Sequence, residues 1–225
     1  MSKSITLVEI DIERCSRTYG TSPCTASIPT TGDNKCFNSR KTCQDTANIN
    51  LTTETVTFAK PTSYLPSKFN AISCIENISF SPATVSLGEN LGQRASITIQ
   101  MKDHRHNDAG FDNYLSDRAY DPFNQGTFFG KFRARFPFLR GNSLRLKRGK
   151  LGDDLADFET WNFVIESFDG PNPQGMYTII AKDVLKLADG DRAQAPALSG
   201  GFLNAALTAG ATSFTVNPAG IGNTD

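Results

Sequence analysis

Apolar and polar residues alternate at a spacing of two along much of this chain. In residues 5–12, Val8, Ile10 and Ile12 alternate with Glu9, Asp11 and Glu13, the pattern of a strand with one buried face. Thr53–Ala59 sets Val56 and Phe58 against Thr55, Thr57 and Ala59. Ala71–Phe80 carries Ile72, Cys74, Ile78 and Phe80 at even spacing, and Gln93–Met101 repeats the pattern with Ala95, Ile97, Ile99 and Met101. Phe132–Phe136, Ser143–Arg148, Trp161–Phe168 and Met176–Ala181 read as further strands. Turn residues punctuate them at short intervals, among them Pro82, Gly88, Gly141, Gly152 and the run Gly170-Pro171-Asn172-Pro173.

Helical spacing is scarce. Asp112–Tyr120, with Phe111, Tyr114 and Leu115, predicts two turns before Asp121-Pro122, and Lys182–Leu187 predicts one more. No repeat of 20–50 residues is visible, which argues against a solenoid or propeller. The expected fold is therefore mainly β, an antiparallel sheet or barrel built from residues 1–13 and 51–195. Residues 14–50 break the pattern. Gly, Pro, Thr, Ser and Asn dominate there, and so long a loop without a core needs some other organiser. Residues 196–225 shift to Ala, Gly, Ser and Thr around one strand, Ser213–Val216, and read as a linker or the start of a further module.

Composition narrows the possibilities. With 225 residues, the chain is long enough to bury a sizeable core. Its 23 basic and 23 acidic residues cancel, which argues against polyanion binding by bulk charge. No apolar run approaches the ~20 residues of a membrane span. The first residues lack a signal-peptide pattern, so synthesis and folding in a cytoplasm are expected.

Four of the five cysteines, Cys15, Cys24, Cys36 and Cys43, fall inside the polar stretch, and Cys74 stands apart in a strand pattern as a small buried residue. In a reducing compartment, clustered cysteines more often bind metal than pair as disulfides. Their separations are eight, eleven and six residues, without a C-x-x-C knuckle, so a zinc finger or ribbon is a poor match. A [4Fe–4S] cluster accepts irregular spacing. Spacing alone leaves zinc, a cluster, and unrelated thiols or disulfides open. Arg14, Arg17, Lys35, Arg40 and Lys41 flank the cysteines, and cations of this kind would lower thiol pKa values.

The segment from Cys15 through Tyr19, Gly20 and Pro23 to Cys24, followed by Asn34-Lys35-Cys36-Phe37-Asn38-Ser39-Arg40-Lys41-Thr42-Cys43-Gln44-Asp45, resembles the cysteine module of tailed-phage baseplate hub proteins. These are related to the tail-tip protein L family of lambda-like siphophages. Leu91–Ile99, Asp121–Lys131, Ala181–Leu187 and Ala193–Pro196 look like parts of the hub domain of the same proteins. The resemblance implies a structural, non-enzymatic tail-tip component of the virion, made in the host cytoplasm. It also implies a homo-oligomer, a trimer, joining the distal tail protein to the central fibre or spike. Cys15, Cys24, Cys36 and Cys43 would ligate a structural [4Fe–4S] cluster, with residues 14–50 as the iron–sulfur insertion of a β hub domain. An iron–sulfur electron-transfer protein and a zinc-stabilised nucleic-acid-binding module are the alternatives.

Other features have plainer readings. Residues 131–150 contain Lys131, Arg133, Arg135, Arg140, Arg145, Lys147, Arg148 and Lys150. On strands, Arg133 and Arg135 would share one face, either for transient DNA contact or as a solvated face or subunit contact, with the acids Asp153, Asp154, Asp157 and Glu159 close enough in sequence to pair with it. His104 and His106 are expected in a polar loop, not a hydrolytic metal site. Asp189-Gly190-Asp191 reads as a turn, since the other calcium-loop ligands are missing. Trp161, Phe163, Ile165, Phe168 and the Phe128-Phe129 pair are expected in the core or an interface. No G-x-S-x-G elbow or placed base supports catalysis.

Overall fold

A computed structural model describes residues 3–83, 94–184 and 210. The chain divides into two units, Met1–Asp183 and Val184–Asp225. The expected strand Ser213–Val216, the Asp189–Asp191 turn and the second half of Lys182–Leu187 lie outside the described residues, while Lys182 and Asp183 belong to a strand and not to the expected turn.

The first unit is mainly β. Its strands are β1 (Ser4–Cys15), β2 (Leu51–Ala59), β3 (Ile72–Ser73), β4 (Ile75–Ser81), β5 (Ser96–Lys102), β6 (Ser143–Lys150), β7 (Glu159–Asp169) and β8 (Met176–Asp183). They form one open sheet in the order β3-β2-β1-β6-β7-β8-β5-β4, not a closed barrel. Every ladder is antiparallel except the short β2–β3 pairing, which is parallel. The stretch read as one strand at Ala71–Phe80 is two, split at Cys74 and carrying a register shift between Ile75 and Asn77. Cys74 is buried, as its alternation with apolar residues implies.

Two faces of β1 are occupied. Val8, Ile10 and Ile12 join the main core with Val56, Phe58, Ile97, Ile99, Leu144, Leu146 and Ile179. Ile5 and Leu7, one position out of phase, meet Ala59, Phe69 and Phe158 in a second cluster. Further along that second face the apolar residues give way to Glu9 and Asp11. Arg145 of β6 donates to both carboxylates, and Lys147 pairs with Glu9.

The main core is closed by a helix where a strand was expected. The helix α2 (Phe128–Arg135) buries Phe128, Phe129 and Phe132 against Phe58 and Tyr177, with the Phe129 and Tyr177 rings stacked at 4.4 Å. Positions 128, 129, 132 and 136 lie on one helical face, and this pattern overrides the period-two match of Phe132, Ala134 and Phe136. The Thr127 side chain makes no cap bond; instead Asp103, at the end of β5, accepts from the Phe129 N–H at 2.9 Å. Pro137 pushes Phe136 out of helical geometry and ends the helix. The two turns expected at Asp112–Tyr120 reduce to a single 3-10 turn, Leu115–Asp117.

Phe163 and Ile165 are buried, and Trp161 and Phe168 pack partly buried against the same core, as strand-borne aromatics should. Among the described residues no helix is long and apolar enough to cross a membrane.

Candidate metal centre

The cysteine segment begins and ends on neighbouring strands. β1 runs through Arg14 to Cys15, which lies opposite Leu51 at the start of β2, and the Ser16 N–H closes the neck on Asn50 O at 2.9 Å. The insertion between these strands is thus residues 16–50, with Cys15 held in regular structure at its root. Within it only a short helix α1 (Ile28–Thr31) and a 3-10 turn (Arg40–Thr42) are regular.

Local polar chemistry bends the remainder. The Cys24 N–H closes a turn on Thr21 O. Gly32 ends α1 at φ 87°, a conformation that glycine adopts without strain. Asn34 turns the chain into Cys36 by accepting its N–H at 3.1 Å. Asp45 ties two strands of loop together: it accepts from both the Thr25 N–H and hydroxyl and from the Asn48 amide, which together hold its carboxyl below the usual range.

These bends bring Cys15, Cys24, Cys36 and Cys43 around one hollow, along with Arg17, Tyr19, Asn38, Ser39 and Asp45. All four are free thiols of intermediate exposure. Burial pushes the Cys36 thiol up, the Asn38 N–H offsets part of that rise, and the neighbouring Cys43, Cys15 and Cys24 add to it. Cys43 is raised in the same way, by burial first and by Cys15, Asp45 and Cys24 through their charge. Each of these two thiols therefore senses Cys15 and Cys24.

The upward shifts correct the expectation that flanking cations lower the thiol pKa values. Arg14 turns away to Glu54 and Phe111 O, Arg40 pairs with Glu13, and Lys35 lies 3.5 Å from Asp33. Among the flanking cations only Arg17 lines the hollow. Cys36 and Cys43 therefore favour the protonated state, and binding a cation would displace their protons.

Asn38 is the hinge of the site. It adopts φ 52°, is 2% exposed, and donates its N–H to Cys36 Sγ at 3.4 Å. Its side-chain amide donates to Cys15 O and Arg17 O, and its carbonyl accepts from the Cys15 N–H at 2.7 Å. One residue thus fixes two of the four cysteines. A main-chain N–H aimed at a sulfur also stabilises thiolate character there.

Residues remote in sequence complete the mount. Arg118 donates to Asn34 O, Cys36 O and both oxygens of Asp112. The Phe37 ring has the Arg118 guanidinium at 3.8 Å and that of Arg135 at 4.1 Å. The Tyr114 hydroxyl accepts from the Tyr19 N–H, and the Asn113 amide donates to Asn38 Oδ1. None of these partners has a local sequence signal, because they meet the cysteine segment only across 75 or more positions.

The basic run does not form a cationic strand face. On α2, Arg133 is exposed whereas Arg135 is buried and bound to Asp108, which also receives Lys131 at 2.7 Å. The acids that pair with the run include Glu9, Asp11, Asp108 and Asp169; Asp154 pairs instead with Lys68. His104 and His106 pack against Phe128 in the loop after β5. Among the described residues, no three or more His, Cys, Asp or Glu side chains are placed to hold a single metal ion. No family model, no curated protein and no solved structure matches this chain.

Proposed function

We propose that this chain is a structural, non-enzymatic component of a phage tail tip. In this reading Cys15, Cys24, Cys36 and Cys43 hold a [4Fe–4S] cluster that organises residues 16–50. The carrying observation is the convergence on one hollow of Cys15, at the neck of two paired strands, with three thiols of an apolar-poor insertion. The donor set fits: four sulfurs lining one hollow and a main-chain N–H aimed at one of them. When bound, the cluster would supply a rigid cross-link among four points of the loop. Zinc also accepts four thiolates, but the separations of eight, eleven and six residues lack a C-x-x-C knuckle, whereas a cubane binds each thiolate at a separate iron and accepts irregular spacing.

The tail-tip role, the trimer, the virion location and the bridging of the distal tail protein to a fibre or spike rest on the sequence resemblance. The engagement of Lys131, Arg135, Arg145 and Lys147 by internal carboxylates weighs against a nucleic-acid-binding module. Anaerobic purification followed by iron, sulfide and zinc analysis tests the site. Four irons and four sulfides per chain, with a brown colour, are expected. Stoichiometric zinc, or no metal at all, would overturn the cluster. Sedimentation of the same sample tests the trimer.

A further inference from the structure

We propose that Arg118 is a positioning residue for the four-thiol site, gripping the chain on both sides of Cys36 so that its sulfur stays turned into the hollow. This deepens the cluster reading and rests on it.

Three residues around one ligand are held by a single side chain. The guanidinium donates to Asn34 O at 2.7 Å and to Cys36 O at 2.6 Å, and its central carbon lies over the Phe37 ring, 3.8 Å from the ring centre. Its remaining donors meet Asp112 at 2.7 and 2.8 Å. Both side chains are sealed from solvent, at 2% and 0% exposure. Arg118 therefore adds no net charge beside the thiols, and its effect on the site is geometric. A planar fork with fixed donor directions can bridge two carbonyls and a carboxylate at once while stacking on a ring; an ammonium group cannot.

The grip also explains why this ligand is set so firmly. From inside the loop, Asn34 and Asn38 hold the Cys36 N–H and sulfur. From outside, Arg118 anchors the same peptides to the loop before α2. Outer partners of this kind commonly change metal retention by 10–100-fold when removed.

The test uses the full chain in its metal-loaded form. Wild type, Arg118→Lys and Arg118→Gln are exposed without oxygen to an iron(II) chelator, and the decay of the cluster absorbance is timed. Both variants should lose the cluster roughly 10–100-fold faster, with lysine giving no rescue. Lys182→Gln, which removes an ion pair to Glu166 between β8 and β7, three strands away from the one that carries Cys15, provides the comparison and should leave the decay rate unchanged. Wild-type decay in the Arg118 variants, or acceleration no greater than Lys182→Gln produces, would overturn the assignment. If wild type contains no iron, the cluster reading falls and the grip is read by proteolysis instead. Arg118→Gln should then be cut faster within residues 16–50, and equal cutting would refute the grip as well.

Discussion

Arg145 of β6 holds Asp11 of β1 with two nitrogens, at 2.6 and 2.7 Å, while its third donates to Glu9 at 2.8 Å. The arrangement ties β6 to β1, the strand that ends in Cys15. Replacing Arg145 by Met leaves a 5% exposed Glu9 with Lys147 alone and strips Asp11 of its cation. A loss of about 3 kcal/mol is expected from urea unfolding.

The same pair fixes an acid dependence. The Arg145 hydrogen bonds hold the Asp11 carboxyl below its usual range, against the opposing effect of burial. A carboxyl depressed in the folded state contributes stability that is full above its unfolded pKa, near ~3.9, and disappears as pH falls through the folded value. The stability gap between wild type and Arg145→Met should therefore be widest near neutrality and shrink below about pH 4. A gap that widens on acidification would refute the assignment.

Gly149 is required for a steric reason, since a Cβ there would enter the Phe158 ring. Phe158 is 4% exposed and meets Phe69 edge-on at 5.5 Å, so it has little room to retreat. Gly149→Ala should cost ~1–3 kcal/mol. Combining it with Phe158→Leu should cost less than the sum of the two single changes, as thermal unfolding of the four proteins would show.

Much of the sheet was legible from the chain because its strands obey one rule, alternation, and each carries enough β-branched or aromatic residues to fix its phase. The helix α2 was misread for a definable reason. Phe132, Ala134 and Phe136 satisfy a period of two, and only the inclusion of Phe128 and Phe129 reveals the helical face. The cysteine segment was recognisable as a unit because its composition departs so far from the strands around it. Its mount was not. Arg118, Asp112 and Tyr114 act through long-range contacts that leave no local pattern, and the cations nearest in sequence to the cysteines turned largely to other partners.

The five cysteines should separate chemically. Burial pushes the Cys74 thiol up to about 12, so it is both hidden and protonated at neutral pH. After metal removal, alkylation of the folded protein at pH 8 should modify up to four thiols, those of Cys15, Cys24, Cys36 and Cys43. The fifth should react only in denaturant, as peptide mass mapping would establish. Cys74→Ala should keep the full metal content, whereas serine at any of the other four should lower it.

Metal removal should also act locally. Residues 16–50 contribute almost nothing to the apolar core apart from buried Ala26, while β1 and β2 are held by their own ladder. Chelation should expose that segment to protease first and leave the β-sheet circular dichroism largely intact. Simultaneous loss of both signals would mean that the insertion and the sheet fold as one unit.

The basic run supplies a last, quantitative expectation. If all eight cations between residues 131 and 150 met phosphates, the slope of log affinity against log salt would be about −7 for duplex DNA. Lys131, Arg135, Arg145 and Lys147 are instead bound to Asp108, Glu9 and Asp11. Arg133, Arg140, Arg148 and Lys150 are exposed. Four contacts set a ceiling of about −4 on the slope, with binding largely abolished by moderate salt. Fluorescence anisotropy of a labelled duplex across a salt series measures it directly. A slope near −7 would mean that the internal ion pairs open to receive DNA, restoring the nucleic-acid reading that the geometry disfavours.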